Sequence, residues 1–196
     1  MDIEKNILVS IKMASEAAAL AHYGQRRKHK QDPIPYIIHP ARVAGLASYY
    51  NGRCYTCIIA AWMHDMVEDC GEKGYNLFID AMNRMPLGNR DKEIVAGIVS
   101  ALTKDDTITP RAAKTRDSIN RVISDSAPTE AILVKICDRI DNLMDLEGFD
   151  HEFVMIYLNE TRQMIESLKN PAMIWGYHSA FHRLVLLTDE LEEAMR

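Results

Sequence analysis

Apolar residues recur at intervals of three and four along most of the chain, which is the spacing of one face of an α-helix. The first stripe is built from isoleucines followed by alanines: Ile3, Ile7, Ile11, Ala14, Ala18 and Ala21. No run of alternating β-branched and aromatic residues is long enough to predict a strand. The pattern therefore predicts an all-α fold.

Glycine and proline mark the boundaries between the apolar stretches. Gly71 and Gly74 are expected to end the third helix, and Pro171 is expected to separate the last two. The predicted helices cover residues 2–23, 40–50, 55–69, 75–85, 90–102, 111–124, 130–147, 150–168 and 172–195. No repeat, low-complexity tract or linker divides the chain, so we expect one compact domain over residues 1–196.

Composition narrows the function classes. The chain has 196 residues, 47% of them hydrophobic, which is enough to build a core and argues against disorder. The net charge of −5 argues against binding an extended nucleic acid. The longest apolar run, from Cys57 to Met63, is far shorter than the about 18 residues of a membrane span. The N-terminal MDIEKNILVS does not resemble a secretory signal, so a cytoplasmic location without membrane contact is expected.

Two of the four cysteines, Cys54 and Cys57, form a CxxC motif. Such a pair could bind zinc or carry out redox chemistry. Zinc would normally require a second pair of ligands, and no βαβ pattern surrounds the motif. The interpretation we favour is that both are small residues near a helix start in a reduced compartment.

The strongest chemical signal is the string AAWMHDMVEDC, in which four ionisable groups directly follow an apolar stretch. On a continuous helix, His64 would share a face with Glu68, and Asp65 with Asp69. Burying such groups without partners would cost several kcal/mol. A metal ion would remove that cost, because imidazole and carboxylate groups are natural metal ligands.

Two further segments offer ligands of the same kind. His39 lies in YIIHP, just before a predicted helix, and Asp138 lies in LVKICDRIDNL. Each segment alone is better explained by chance or by a hydrogen-bonded core residue. Together, the order H…HD…D favours convergence of His39, His64, Asp65 and Asp138 around one divalent ion. Mixed nitrogen and oxygen ligation suits Mn, Fe or Zn better than Ca.

These motifs resemble the HD-superfamily metal-dependent phosphohydrolases. More narrowly, the chain resembles the hydrolase domain of the Rel/SpoT alarmone enzymes and their stand-alone small alarmone hydrolases. The matching strings are GQRRKHKQDPIPYIIHPARVA, AAWMHDMVEDC, IVSALTK and LVKICDRIDNLMDL, which span residues 24–146 in the family's order. The ED that follows HD distinguishes this branch from most HD proteins. The resemblance implies an all-helical fold of about ten helices.

The resemblance also implies roles for individual residues. The metal ligands would be His39, His64, Asp65 and Asp138, and the usual ion in the family is Mn(II). Glu68 and Asp69 match the acidic pair that handles the attacking water. A water bound by the metal would have its pKa lowered toward neutrality, and the acidic pair would orient it and move its proton.

Three further residues match positions that contact the nucleotide or its phosphates: Arg27, Lys28 and Asn142. Arg27 would hold pyrophosphate by its planar fork, and Lys28 would act as a point charge. The implied reaction removes the 3′-pyrophosphate of ppGpp or pppGpp and releases GDP or GTP. Lys104 and Arg116 are weaker candidates of the same kind, for which a surface role is favoured.

Four positions depart from the family pattern. Met66 and Cys70 replace the threonines of HDTVEDT, Asp141 replaces the histidine of DRLHN, and Met144 replaces a common arginine. These changes leave two alternatives open. One is a related HD phosphohydrolase acting on an adenine alarmone, a nucleoside monophosphate or an RNA 3′ end, including as an antitoxin to an alarmone-type synthetase. The other is a degenerate module that only binds a partner or a nucleotide. The sequence does not determine the oligomeric state.

Overall fold

The computed structural model describes residues 2–27 and 34–196, and in these ranges it contains helices and no strand. The helices are α1 (Ile3–Ala21), α2 (Ile38–Tyr50), α3 (Tyr55–Met63), α4 (Met66–Asp69), α5 (Gly71–Arg84), α6 (Asn89–Leu102), α7 (Arg111–Val122), α8 (Glu130–Met144), α9 (His151–Ile174) and α10 (His178–Ala194). The predicted all-α class is confirmed. No helix of the described ranges is long and apolar enough to cross a membrane.

Helices α3 and α8 form the centre of the fold. The first packs against α1, α2, α6 and α8, and the second also contacts α2, α6, α9 and α10. Helix α3 is almost entirely apolar, as expected of a helix enclosed by others, whereas α8 combines buried apolar residues with a polar face that includes Asp138 and Asn142. In α8 the run from Ala131 to Cys137 is buried throughout, and in α3 the adjacent Ala60 and Ala61 are fully buried. This packing places the end of α3 beside the middle of α8.

The predicted continuous helix over residues 55–69 is wrong, because the chain turns at His64 and Asp65 between α3 and α4. The Nδ1 atom of His64 lies 2.8 Å from the carbonyl oxygen of Ala61. In a continuous helix that carbonyl would accept from the amide of Asp65. The imidazole of His64 thus occupies the acceptor that would extend α3, and Asp65 becomes the first residue of a new turn.

Gly71 and Gly74, which were expected to end the third helix, both belong to α5. Gly71 has a positive φ of 55° and begins the helix, whereas Gly74 lies inside it. A Cβ atom at Gly74 would lie 1.9 Å from the carbonyl oxygen of Met66 and 2.6 Å from Cβ of Cys70. The expected break at Gly74 is therefore wrong, and the residue instead allows α5 to fold back tightly on α4.

The predicted separation of the last two helices at Pro171 is also wrong. Helix α9 continues through Pro171 to Ile174, and the chain turns at Gly176, where φ is 77°. Because proline has no amide hydrogen, α9 lacks the hydrogen bond from position 171 to the carbonyl of Ser167, and the helix ends one turn later.

The CxxC motif lies at a helix start, as expected, but its two cysteines are not independent. Cys54 is the N-cap of α3, and its sulfur accepts from the amide of Cys57 at 3.3 Å. The two residues are also joined by a disulfide. Their expected position near a helix start is confirmed, whereas the bond between them was not predicted.

The tight crossing of α4 and α5 yields a stability prediction. We expect Gly74→Ala to lower the free energy of unfolding by about 1–3 kcal/mol, because the added methyl group must displace backbone. The matched control is Gly45→Ala, on the exposed side of α2, where a Cβ meets nothing within 4 Å. This control should raise the free energy of unfolding by about 0.5–1 kcal/mol, since alanine favours a helix. Denaturant unfolding of both variants checks the difference, and equal stability of the two would contradict the packing described.

Candidate metal centre and active site

Four of the predicted ligands converge at one place. His39 lies in the first turn of α2, His64 and Asp65 lie between α3 and α4, and Asp138 lies in α8. His39 Nε2 is 3.3 Å from Asp65 Oδ2 and 3.3 Å from Asp138 Oδ1. His64 Nε2 is 3.2 Å from Asp65 Oδ1 and 3.8 Å from Asp138 Oδ1. The structure therefore brings together two imidazoles and two carboxylates from three separate stretches of chain.

The orientation of both imidazoles is set by what their other nitrogen contacts. His39 Nδ1 lies 2.6 Å from Asp141 Oδ2, and His64 Nδ1 lies 2.8 Å from the carbonyl oxygen of Ala61. Both partners accept hydrogen bonds, so each Nδ1 carries a proton. Each Nε2 is thereby turned toward the two carboxylates. Histidines that bind metals are commonly held in this way.

The charges around the cluster favour the ionised form of the Asp65 and Asp138 carboxylates and the protonated form of the histidines beside them. Burial would raise the pKa of Asp65, but His64 and His39 outweigh it and hold that pKa well below its usual range. Burial likewise opposes ionisation of Asp138, whose pKa is held well below its usual value by Lys135 and both histidines. Burial lowers the pKa of His64, whereas Asp65 and Asp138 raise it, to about 9. Hydrogen bonds to aspartates raise the pKa of His39 in the same way.

The donor set fits a divalent metal ion. The ligand atoms offered by His39, His64 and Asp65 all lie within 4.8 Å of one another. His64 Nε2 is buried and has no hydrogen-bond partner, which is costly for a polar atom in the interior. A cation between the imidazoles and carboxylates would satisfy this nitrogen and balance the negative charge. These residues could therefore hold a metal.

The acidic pair of α4 lies beside this cluster, with a different partner for each carboxylate. Glu68 is held by Lys104, whose Nζ is 2.7 Å from Oε1 and whose amide donates to Oε2 at 2.9 Å. The Tyr36 hydroxyl contacts Asp69 Oδ2 at 2.6 Å and Asp65 Oδ2 at 2.7 Å. Partial burial and the charge of Asp65 raise the pKa of Asp69. The pair thus offers one carboxylate fixed by a cation and one that is easier to protonate.

Two of the predicted substrate contacts form a hydrogen-bonded chain to the metal cluster. Arg27 Nη2 donates to Asn142 Oδ1 at 3.0 Å, and Asn142 Nδ2 donates to Asp138 Oδ1 at 2.6 Å. Arg27 Nε also donates to Asp145 Oδ2 at 3.0 Å. These contacts hold the guanidinium against α8. The third predicted contact, Lys28, lies outside the described residues.

Backbone pairing before α2 brings further side chains to the site. The amide of Arg27 donates to the carbonyl of Ile34 at 2.9 Å, and the amide of Tyr36 donates to that of Gln25 at 3.0 Å. An antiparallel bridge joins these two stretches. Arg27 and Tyr36 are therefore fixed relative to each other as well as to the cluster.

Sequence reasoning missed two residues of the site. Tyr36, which bridges two aspartates, stands three positions before His39 in an otherwise apolar string. Lys135 is buried with its Nζ 3.5 Å from Asp138 Oδ2. A single lysine inside the apolar run LVKIC could have been noticed, because a buried charge requires a partner. Lys104, for which a surface role was favoured, instead binds Glu68 in the site.

Comparison with known proteins finds relatives that are named as hydrolases, although no protein-family model matches the chain. The Xenopus tropicalis guanosine-3′,5′-bis(diphosphate) 3′-pyrophosphohydrolase MESH1 is 30% identical over 165 residues, which are 80% of this chain and 83% of that protein. The Drosophila melanogaster MESH1 is 33% identical over 160 residues, with 78% and 80% covered. A guanosine-3′,5′-bis(diphosphate) 3′-pyrophosphohydrolase of Aquifex aeolicus is 30% identical over 166 residues, or 85% of this chain.

The chain matches only a small part of each bacterial relative. It covers 22% of the Aquifex aeolicus protein and 19% of a Synechocystis relative, so the chain spans about a fifth of their length. A solved structure of a metazoan SpoT ortholog that hydrolyses ppGpp matches with a TM-score of 0.69 and 25% identity, covering 94% of both chains. Given its 30% and 33% identity to relatives of which it covers at least 80%, the chain belongs to the MESH1-type family of guanosine-3′,5′-bis(diphosphate) 3′-pyrophosphohydrolases.

Proposed function

We propose that the protein hydrolyses the 3′-pyrophosphate of ppGpp or pppGpp, releasing pyrophosphate and GDP or GTP. The observation that carries the proposal is the convergence of His39, His64, Asp65 and Asp138 beside the acidic pair of α4. The substrate is inferred from the relatives that carry this activity in their names. The proposal includes a cytoplasmic location.

The proposed metal is Mn(II), which accepts both imidazole nitrogen and carboxylate oxygen. A divalent ion bound there would lower the pKa of water and offset the negative charge of the phosphates. His39 and His64 would supply Nε2, and Asp65 and Asp138 would each supply a carboxylate oxygen. Lys135 and Asn142 would keep Asp138 ionised and oriented, because both contact its carboxylate.

Hydrolysis joins the oxygen of water to the phosphorus attached to the 3′-oxygen, and the bond between that phosphorus and the 3′-oxygen breaks. The water must lose a proton, and the departing 3′-oxygen must gain one. Asp69 is the proposed proton acceptor, because burial and the charge of Asp65 raise its pKa and so make its carboxylate a stronger base. Glu68, fixed by Lys104 at both oxygens, would orient the water.

Arg27, Lys28 and Asn142 are the proposed substrate contacts, and Asn142 also links Arg27 to Asp138 of the cluster. The guanidinium of Arg27 is already oriented by Asp145 and Asn142, so substrate binding would not have to order it. A pre-oriented planar cation is well suited to a diphosphate. Lys104 adds positive charge on the other side of the cluster, next to Glu68.

The first test removes the metal or one ligand. We expect wild-type protein with Mn(II) to release pyrophosphate from ppGpp, and chelation to abolish the release until Mn(II) is restored. Asp65→Ala should lower kcat/KM by more than about 100-fold, because a catalytic metal supplies several kcal/mol. Asp125→Ala removes an exposed carboxylate outside the site and serves as the matched control, with activity like wild type.

A panel of nucleotides under the same conditions decides the substrate. Activity on an adenine alarmone or a nucleoside monophosphate without activity on ppGpp would overturn the substrate assignment. Activity that survives complete chelation would overturn the proposed metal chemistry.

The second test separates the acidic pair from the metal ligands. We expect Glu68→Gln and Asp69→Asn each to lower kcat by about 100- to 10,000-fold, the usual contribution of a positioned acid or base. Affinity for Mn(II), measured by calorimetry on metal-free protein, should stay near the wild-type value. Glu72→Gln, on an exposed residue at the start of α5, is the matched control and should change neither quantity. Loss of Mn(II) affinity in the first two variants would instead make these residues ligands.

A further inference from the structure

Asp141 is the most deeply buried acid near the metal cluster, with a fully buried side chain. One of its oxygens, Oδ2, lies 2.6 Å from Nδ1 of His39. Where the pattern DRLHN has histidine, this chain has the carboxylate of Asp141. The resemblance therefore implies no role for Asp141.

Asp141 makes one short hydrogen bond, to His39, and its other charged neighbours lie further away. Arg27 Nη2 lies 3.7 Å from Asp141 Oδ2, and Arg42 Nη1 lies 3.8 Å from Oδ1. Oδ1 is buried without a hydrogen-bond partner. A buried carboxylate with an unsatisfied oxygen is poor evidence for a stabilising role, because its desolvation is costly. The imidazole of His39 is the group that Asp141 engages at short range.

The bond to Nδ1 determines what His39 presents to the cluster. Because Asp141 accepts the Nδ1 proton, Nε2 is the nitrogen that faces Asp65 and Asp138, at 3.3 Å from each. The same bond fixes the plane of the ring, which also contacts the His64 ring edge-on with 5.2 Å between centroids. Without an acceptor at position 141, nothing in these contacts would hold the Nδ1 proton or the ring plane.

A second aspartate at the end of α8 provides a comparison. Asp145, the C-cap of α8, lies one turn beyond Asp141 and contacts the same two arginines, Arg27 at 2.9 Å and Arg42 at 2.9 Å. It therefore contributes similar negative charge to the same face of the helix. No contact between Asp145 and His39 is found among the described residues. The two aspartates differ in the hydrogen bond to the imidazole.

We propose that Asp141 is a positioning residue of the metal centre, which fixes the tautomer and ring orientation of His39 so that Nε2 can bind the ion. This inference rests on the proposed metal site and adds a residue that orients one of its ligands. It assigns to Asp141 an effect on metal affinity, whereas Asp145 serves to orient the arginines. Carboxylate partners of metal-binding histidines commonly act in this way.

The experiment compares Asp141→Ala, Asp141→Asn and Asp145→Asn in the full chain. Calorimetric titration of the metal-free proteins with Mn(II) is expected to give about 10- to 100-fold weaker binding for Asp141→Ala. Asp141→Asn should lose less, because its amide oxygen still accepts from Nδ1. Asp145→Asn should bind Mn(II) like wild type. Co(II) substitution gives a second readout, since the visible absorption of the Co(II) protein should change in Asp141→Ala and stay unchanged in Asp145→Asn.

Activity gives a third readout. The Mn(II) concentration for half-maximal hydrolysis of ppGpp should rise in Asp141→Ala, whereas kcat should recover when Mn(II) is saturating. A lower kcat that extra Mn(II) does not restore would overturn the positioning role. If Asp141→Ala fails to fold, the Mn(II) affinity of the isosteric Asp141→Asn is compared with that of Asp145→Asn. Weaker binding in Asp141→Asn than in Asp145→Asn then supports the positioning role.

Two outcomes separate this inference from the proposed function. If wild type binds Mn(II) and hydrolyses ppGpp, and Asp141→Ala binds Mn(II) equally tightly, only the role of Asp141 is overturned. If wild type itself binds no Mn(II), the proposed metal chemistry and the inference fail together. Equal weakening in Asp141→Asn and Asp145→Asn would indicate the general charge of α8 and would also overturn the specific hydrogen-bond role.

Discussion

Two ionised carboxylates held largely inside a helical core are the constraint around which the rest of this structure is arranged. Asp65 and Asp138 are each 14% exposed, and each follows a largely apolar run of the chain. Such charges persist only where nearby groups compensate them. Histidines from two segments, a buried lysine, a tyrosine hydroxyl and an asparagine amide all converge on these oxygens. Two of these compensating groups, His39 and His64, are also proposed metal ligands.

The polar cluster extends outward along one face of α8. Asp138, Asp141, Asn142 and Asp145 are spaced at three- and four-residue intervals, so they lie on one side of the helix. Asp138 faces both histidines, Asp141 faces one of them, and Asp145 faces Arg27 and Arg42. A single helix thus carries the contacts from the proposed ion to the proposed phosphate contacts, which explains why its other faces must be apolar and firmly packed.

Much of this arrangement could be predicted from the sequence. The features that could not be predicted have one physical cause in common. Helical periodicity predicted the fold class, and the order of histidines and aspartates predicted which side chains meet. The break at His64 was missed because it depends on the side chain taking the Ala61 carbonyl, which periodicity does not report. The roles of Gly74, Tyr36 and Lys135 were missed because they depend on neighbours in space rather than along the chain. Local patterns predict elements well, whereas contacts between elements require the packed structure.

The acidic pair lies on α4, a helix of only four residues between the turn at Asp65 and the close approach at Gly74. At that length Glu68 and Asp69 cannot shift independently, because any movement of the segment carries both. A residue of α5 with no polar side chain therefore shares control of the distance between the acids and the histidines. If the proposed roles of Glu68 and Asp69 hold, variation at position 74 would be subject to selection for catalytic geometry, even though glycine has no group that could take part in the chemistry.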